Sequence, residues 1–162
     1  QMTSLYAVSK IVGEQTLKLD DSAIDKTLLR FGIIYGPRLS NWSAVESLFD
    51  LVSREPEVTV GCAATARRFI HVDDIVSGIL ASVGRSGVEV FNLSGNELVT
   101  LREVVETSSS ILGREVELHE RESEEPSIRN PDNAKATRDL SWCAEIGLED
   151  GLRSVHEFFA SA

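Results

Sequence analysis

Over residues 6–19 the apolar positions Val8, Ile11, Val12 and Leu19 recur at roughly helical spacing, with Lys18, Asp20 and Asp21 toward the outside, and this predicts one amphipathic helix. The run KTLLRFGIIYGP at 26–37 is almost wholly apolar and closes on Gly36-Pro37. It predicts a strand buried on both faces, as in a parallel sheet, so helix and strand together make half of a βαβ unit. Residues 43–54, with Val45, Leu48, Phe49 and Val52, predict a second helix, and EVTVG at 57–61 a short strand stopped by Gly61. RRFIHVDD at 67–74 carries a brief strand into a helix that Asp73 or Asp74 can cap, with Ile75, Ile79, Leu80 and Val83 on its buried face and a stop near Gly84. GVEVFNLSG at 87–95 alternates like another strand. Thr100 and Glu103 have the spacing of a capping box opening a helix that Gly113 ends. EVELHERE at 115–122 is a candidate edge strand, and SEEPSIRNPD at 123–132, polar and interrupted by proline, predicts an exposed loop. Two helices follow at about 132–140 and 149–161, the last presenting Leu148, Leu152, Val155 and Phe158 to a core. The order of elements is α/β at the start and a mixed, smaller lobe afterwards.

Composition narrows the function classes. With 162 residues and 42% hydrophobic content the chain can bury one sizeable core, as one domain or as part of a larger protein. A net charge of −10 argues against binding nucleic acid or an anionic membrane, because such partners require a basic face. Cys62 and Cys143 form neither a disulfide framework nor a metal-type spacing and read as thiols of a reducing compartment. No apolar run approaches the roughly 18 residues of a membrane span, and no signal peptide precedes the first motif, so a soluble, cytoplasmic chain is expected. Gln1 precedes Met2, which suggests a fragment or a processed chain.

The opening stretch TSLYAVSKIVGE places Tyr6 and Lys10 four positions apart on one helical face. A free phenol ionises near pH 10, and a neighbouring ammonium favours its anion, which makes such a pair usable for acid–base work near neutral pH. The same spacing also fits a solvated pair with no chemistry. His71 reads as a satisfied structural histidine, and His119 and His156 have no partners at metal-ligand spacing, so no metal is expected.

Taken in order, TSLYAVSK..GE, LLRFGIIYGPR, RRFIHVDDIVSGI, VFNLSG and the spaced Asp132, Lys135 and Trp142 resemble the second half of the extended short-chain dehydrogenases, the NAD-dependent sugar-nucleotide epimerases and dehydratases. The resemblance covers essentially the whole chain. It implies the second part of a Rossmann-type parallel sheet (1–40, the catalytic helix and following strand) and a mixed α/β substrate lobe with returning sheet elements (41–162). It implies that Tyr6 exchanges a proton with a substrate hydroxyl, that Lys10 holds the nicotinamide ribose and favours the tyrosine's anion, and that Phe31, Gly32 and Ile33 lie beside the nicotinamide ring. Arg67 matches the arginine that pairs with a substrate diphosphate, Arg68 replaces a frequent acidic neighbour, and Arg129 lies where a second phosphate contact is often supplied. The implied cofactor is NAD or NADP, the substrate a small molecule of the nucleotide-sugar type, and the complete protein a homodimer.

Three departures qualify this. The glycine-rich pyrophosphate turn and the serine or threonine expected some two dozen positions before the tyrosine are absent, so the chain alone is expected to be inactive. Ile33 or Ile34 stands where an asparagine often contacts the substrate, which suits a relative acting on a non-nucleotide carbonyl or alcohol. A binding module derived from the family, without catalysis, is the rival from another class. Trp42 either lines the substrate cleft or packs.

Overall fold

In the computed structural model, which describes residues 4–40, 42–121 and 125–161, Ser4 opens helix α1 (Leu5–Leu19), its Oγ accepting from the N–H of Ala7 at 3.2 Å. Along the chain follow β1 (Lys26–Phe31), β2 (Ile33–Tyr35), α2 (Ala44–Arg54), β3 (Glu57–Val60), β4 (Ala66–Arg67), β5 (Phe69–His71), α3 (Val72–Ser82), β6 (Val88–Leu93) and β7 (Val99–Thr100). The remainder is α4 (Leu101–Leu112), β8 (Glu117–Glu120), β9 (Ile128–Arg129), α5 (Ala134–Leu140) and α6 (Leu148–Ser161). Thr3 of the opening motif, Glu122 at the end of the expected edge strand and Ser123 and Glu124 of the expected loop lie outside the described residues.

Three two-stranded sheets are parallel pairs: β1 with β6, β2 with β5, and β3 with β8. Strand β4 runs antiparallel to β7 and parallel to β9. Parallel pairing needs crossovers, which α2 and α3 help to supply, and the architecture is α/β as expected. One apolar core gathers Tyr35 with residues of α2, β3, α4 and α6. A second gathers Ile70, Ile75, Phe91, Leu93, Ala136 and Trp142. In the first, burial with the charge of Asp74 next pushes the Tyr35 phenol well above its ordinary range, so it stays neutral, and its Oη donates to the Gly147 carbonyl at 3.2 Å. The capping box of Thr100 and Glu103 forms as expected, and Gly113 ends α4 at φ +62°. Ser43 and Glu46 form a second box at the start of α2, where the buried Glu46 also accepts from Arg38 Nε at 2.7 Å and from the Gly36 N–H at 3.1 Å.

Several expectations are corrected. The run 26–37 is two strands broken at Gly32 and is not buried on both faces: Arg30, Phe31 and Ile33 are exposed, only Tyr35 and Gly36 are buried, and the rest is half-buried. The break has a steric cause, since a Cβ at Gly32 would stand 2.8 Å from the Arg68 carbonyl oxygen and 2.9 Å from Ser94 Cβ. The backbone thus passes from the β6 ladder to the β5 ladder at the one residue that fits. Helix α1 buries none of its residues, and Val12 and Leu19 face outward because no described residue covers that stripe.

Helix α3 is capped by His71, whose Nδ1 accepts from the Asp73 N–H at 3.3 Å, and by neither aspartate. Asp74 instead turns inward and accepts from the N–H groups of Glu145 and Ile146, each at 3.0 Å. Of the expected buried face only Ile75 is buried, while Ile79, Leu80 and Val83 are exposed. The helix docks through Gly78 and Ser82, because a bare glycine lets Leu93 and Trp142 approach to where a Cβ would meet them at 2.8 and 3.0 Å. The stretch expected as a loop carries β9. At the end of α6, Phe159 rather than Phe158 packs on the core.

Candidate active site

Tyr6 and Lys10 lie one turn apart near the start of α1, and the Lys10 ammonium stands 5.2 Å from the centre of the Tyr6 ring. With no buried face, α1 is tied to the sheet by charge: Glu14 accepts from Arg30 Nε of β1 at 2.8 Å and from Lys18 at 2.6 Å. The Arg30 guanidinium, then Lys18, hold the Glu14 carboxyl down at about 2. Between α1 and β1 lies a cleft of about 780 Å³ lined by Tyr6, Lys10, Gly13 and the backbone run from Thr27 to Gly32.

A second cleft, of about 540 Å³, shares Tyr6, Phe31 and Gly32 with the first and adds Ile33, Arg67, Arg68, Arg129 and Asn130. Tyr6 therefore stands on the partition between two clefts. The residues that the resemblance assigns to catalysis, cofactor and substrate phosphate line one or both: Tyr6, Phe31 and Gly32 both, Lys10 the first, Ile33, Arg67 and Arg129 the second. Ile34 is turned away, packed on the core that holds Ile70. Asn130 was not signalled by the sequence, since only the pairing of β9 with β4 brings it here.

The arginines are placed by strand register. Arg67 and Arg129 are partners across the parallel β4–β9 pair, which puts both side chains on one face. Arg67 donates through Nη1 to the carbonyls of Ala66, at 2.8 Å, and Ser127, and through Nη2 to Ser127 Oγ at 3.1 Å. Burial, and then the positive charge of Arg129, pull the Arg67 pKa below its ordinary value. Arg68 donates to Asn130 Oδ1 and to the Gly95 carbonyl at 3.3 Å. All three are held by neutral acceptors or none, and no ion pair links any of them to a carboxylate among the described residues. Elsewhere several arginines are paired with carboxylates, as Arg38 is with Glu46 and Arg153 with Glu149, while Arg114 donates to the neutral Ser53 carbonyl.

The remaining candidates resolve simply. His71 is buried, with Nε2 3.0 Å from Ser154 Oγ, and burial lowers its pKa, as suits a neutral structural histidine. His119, which sequence spacing left without partners, lies 3.6 Å from Glu117 and 3.7 Å from Glu57, an exposed cluster made by the β3–β8 pairing. Trp42 packs edge-on against Phe159 and donates to the Arg38 carbonyl at 2.9 Å, so it does not line the cleft. Lys135 and Trp142 are structural: the first bonds Glu89 and the Val90 carbonyl, the second is buried and donates to Ser77 Oγ at 2.9 Å. No helix of the described residues is long and apolar enough to cross a membrane.

The sequence profile of the NAD dependent epimerase/dehydratase family matches residues 1–94. An uncharacterized UDP-glucose epimerase of Bacillus subtilis is 30% identical over 98% of this chain and 52% of its own length. UDP-glucuronic acid decarboxylase 1 of Arabidopsis thaliana is 29% identical over 96% of this chain and 38% of its own. Among solved structures, the UDP-glucose 4-epimerase of Thermotoga maritima with UDP-glucose superposes with a TM-score of 0.81 at 26% identity, covering 96% of this chain and 53% of that one. The chain thus spans about half the length, or less, of the relatives it matches.

Proposed function

Because the chain belongs to the NAD dependent epimerase/dehydratase family, we propose that it carries the proton-transfer and substrate-phosphate half of a sugar-nucleotide epimerase, dehydratase or decarboxylase. The observation that carries this reading is the place of Tyr6 on the wall between two clefts. A proton-transfer group must reach the substrate while the hydride partner lies beside it, and a residue bordering both spaces meets that requirement.

The residues present fit a nicotinamide in the α1–β1 cleft. Its volume is in the range of small-molecule sites, the Lys10 ammonium can donate to a ribose hydroxyl, and Gly32 leaves the wall bare of side chain. When bound, the nicotinamide supplies hydride acceptance and return. The chain's own part is proton movement and positioning. Tyr6 Oη takes the proton of a substrate hydroxyl as the carbonyl forms, or returns it as the hydroxyl is restored. The nearby Lys10 charge favours the phenolate, the state of Tyr6 before it takes that proton and after it has returned it. Arg67 and Arg129, side by side on β4 and β9, match the two negative charges of a diphosphate.

Ile33 favours a second reading, in which the same pair oxidises or reduces a non-nucleotide carbonyl or alcohol, since it offers no hydrogen bond where it lines the cleft. Three arginines in this cleft, none paired with a carboxylate among the described residues, weigh against an uncharged substrate.

The experiment compares Tyr6→Phe and Lys10→Met in the natural full-length protein. Tyr6→Phe should bind cofactor normally and lose 10²–10⁴-fold in turnover, the usual share of a general acid–base group. Lys10→Met should lose turnover and also weaken cofactor binding in a direct titration. Wild-type turnover in Tyr6→Phe would remove the proton-transfer role and with it the reading.

A further inference from the structure

The second cleft holds one guanidinium more than a diphosphate needs. Arg67 and Arg129 are register partners and answer two charges. Arg68 borders the same space, yet its hydrogen bonds go to neutral oxygens, the Asn130 amide and the Gly95 carbonyl. No carboxylate among the described residues pairs with it, although the protein carries 26 acidic side chains against 16 basic ones.

Its position says which part of a ligand it would meet. The parallel register aligns Ile33 with Phe69, so Arg68 lies at the level of Gly32, and its carbonyl oxygen is within 2.8 Å of where a Gly32 Cβ would be. Gly32 and Tyr6 border both clefts, so this level is the reacting end of the substrate space. Resting on the diphosphate reading above, we infer that Arg68 recognises a carboxylate on the glycosyl group, so that the substrate class is a nucleotide-linked sugar acid rather than a neutral sugar. The relatives do not make this choice, because their names divide between glucose and glucuronic acid. The chemistry of the site does. With Nε held by the Asn130 amide oxygen and Nη1 by the Gly95 carbonyl, Nη2 of Arg68 has no partner among the described residues and can donate to a carboxylate, with little side-chain freedom left to lose on binding.

The test is calorimetric binding of UDP, UDP-glucose and UDP-glucuronate to the full-length protein and to its Arg68→Gln variant, with thermal unfolding of both to verify an unchanged fold. Wild type should bind UDP-glucuronate about tenfold or more tighter than UDP-glucose, the ratio expected of one charged hydrogen-bonded contact. Arg68→Gln should abolish that ratio while the affinities for UDP and UDP-glucose stay within about threefold. Equal binding of the two sugars by wild type overturns the inference and leaves the diphosphate reading standing. A preference that survives in Arg68→Gln, or a uniform weakening of all three ligands, overturns it as well by assigning the arginine a structural role. If UDP itself does not bind, the diphosphate reading falls and this inference with it.

Discussion

Two glycines, both inside helices, should respond in opposite directions to the same methyl group. Gly151 of α6 faces the first core, where a Cβ would stand 2.1 Å from Tyr35 Oη and 2.7 Å from two ring carbons. Tyr35 is 2% exposed and has nowhere to retreat. Gly151→Ala must therefore displace the ring, an overpacking that costs roughly 1–3 kcal/mol. It also breaks the 3.2 Å bond from Tyr35 Oη to the Gly147 carbonyl, leaving a buried hydroxyl unsatisfied at a further cost of about 1–3 kcal/mol. Alanine's better helix propensity returns about 1 kcal/mol. The net is a loss of about 3 kcal/mol, a fall in midpoint of roughly 6–12 °C for a chain of this size. Gly13 of α1 has no heavy atom within 4 Å of its would-be Cβ, so only the propensity gain of about 1 kcal/mol applies. That gain should appear as about fivefold slower amide hydrogen exchange in α1. Thermal unfolding followed by circular dichroism reads the first variant and hydrogen exchange the second. A Gly151→Ala protein as stable as wild type would refute the seating of α6 on Tyr35, and equal effects at both sites would refute the steric reasoning itself.

Two further predictions concern buried or tethering carboxylates. The Glu14 carboxyl sits at about 2 in the folded chain against 4.5 when free; a depressed folded value means its contribution is present above pH 4.5 and is lost as pH falls toward 2. Exchange protection in α1 should drop across that window in wild type and change little in Glu14→Gln; identical profiles would detach α1 from the Arg30 tether. Asp74→Ala leaves the Glu145 and Ile146 N–H groups without their acceptor, and with Asp74 only 5% exposed the expected loss is about 3 kcal/mol in denaturant unfolding. A loss below about 1 kcal/mol would show that water replaces the carboxylate.

What could be read from the sequence is what depends on neighbours along the chain. Helix α4 was announced by Thr100, Glu103 and Gly113, all within fourteen positions. The two-residue strands β4, β7 and β9 were not, because their pairings join segments more than thirty positions apart and two residues carry no period. The face of α3 was misread for a related reason. Its apolar residues surround the helix, and the choice fell to Gly78, whose value lies in what it lacks. The site residues came from a resemblance spread over separate motifs, and no single motif showed that they would share two adjoining clefts. Nor could it show that Arg68 would bond the Asn130 amide and the Gly95 carbonyl, because partnership is settled by the fold.

The pairing of Arg67 with Arg129 across β4 and β9 has a thermodynamic consequence. The ladder keeps the two residues opposite one another whether or not a ligand is present, so the repulsion between like charges is incurred when the chain folds rather than when a ligand arrives. Any anion that settles between them, inorganic phosphate and sulfate included, is then a ligand of the native state alone and shifts the folding equilibrium by mass action. At a hundred times its dissociation constant the shift is about 2.7 kcal/mol. A melting temperature recorded in phosphate buffer thus belongs to the protein and its buffer jointly, and variants of this cleft can be ranked only at one fixed anion concentration.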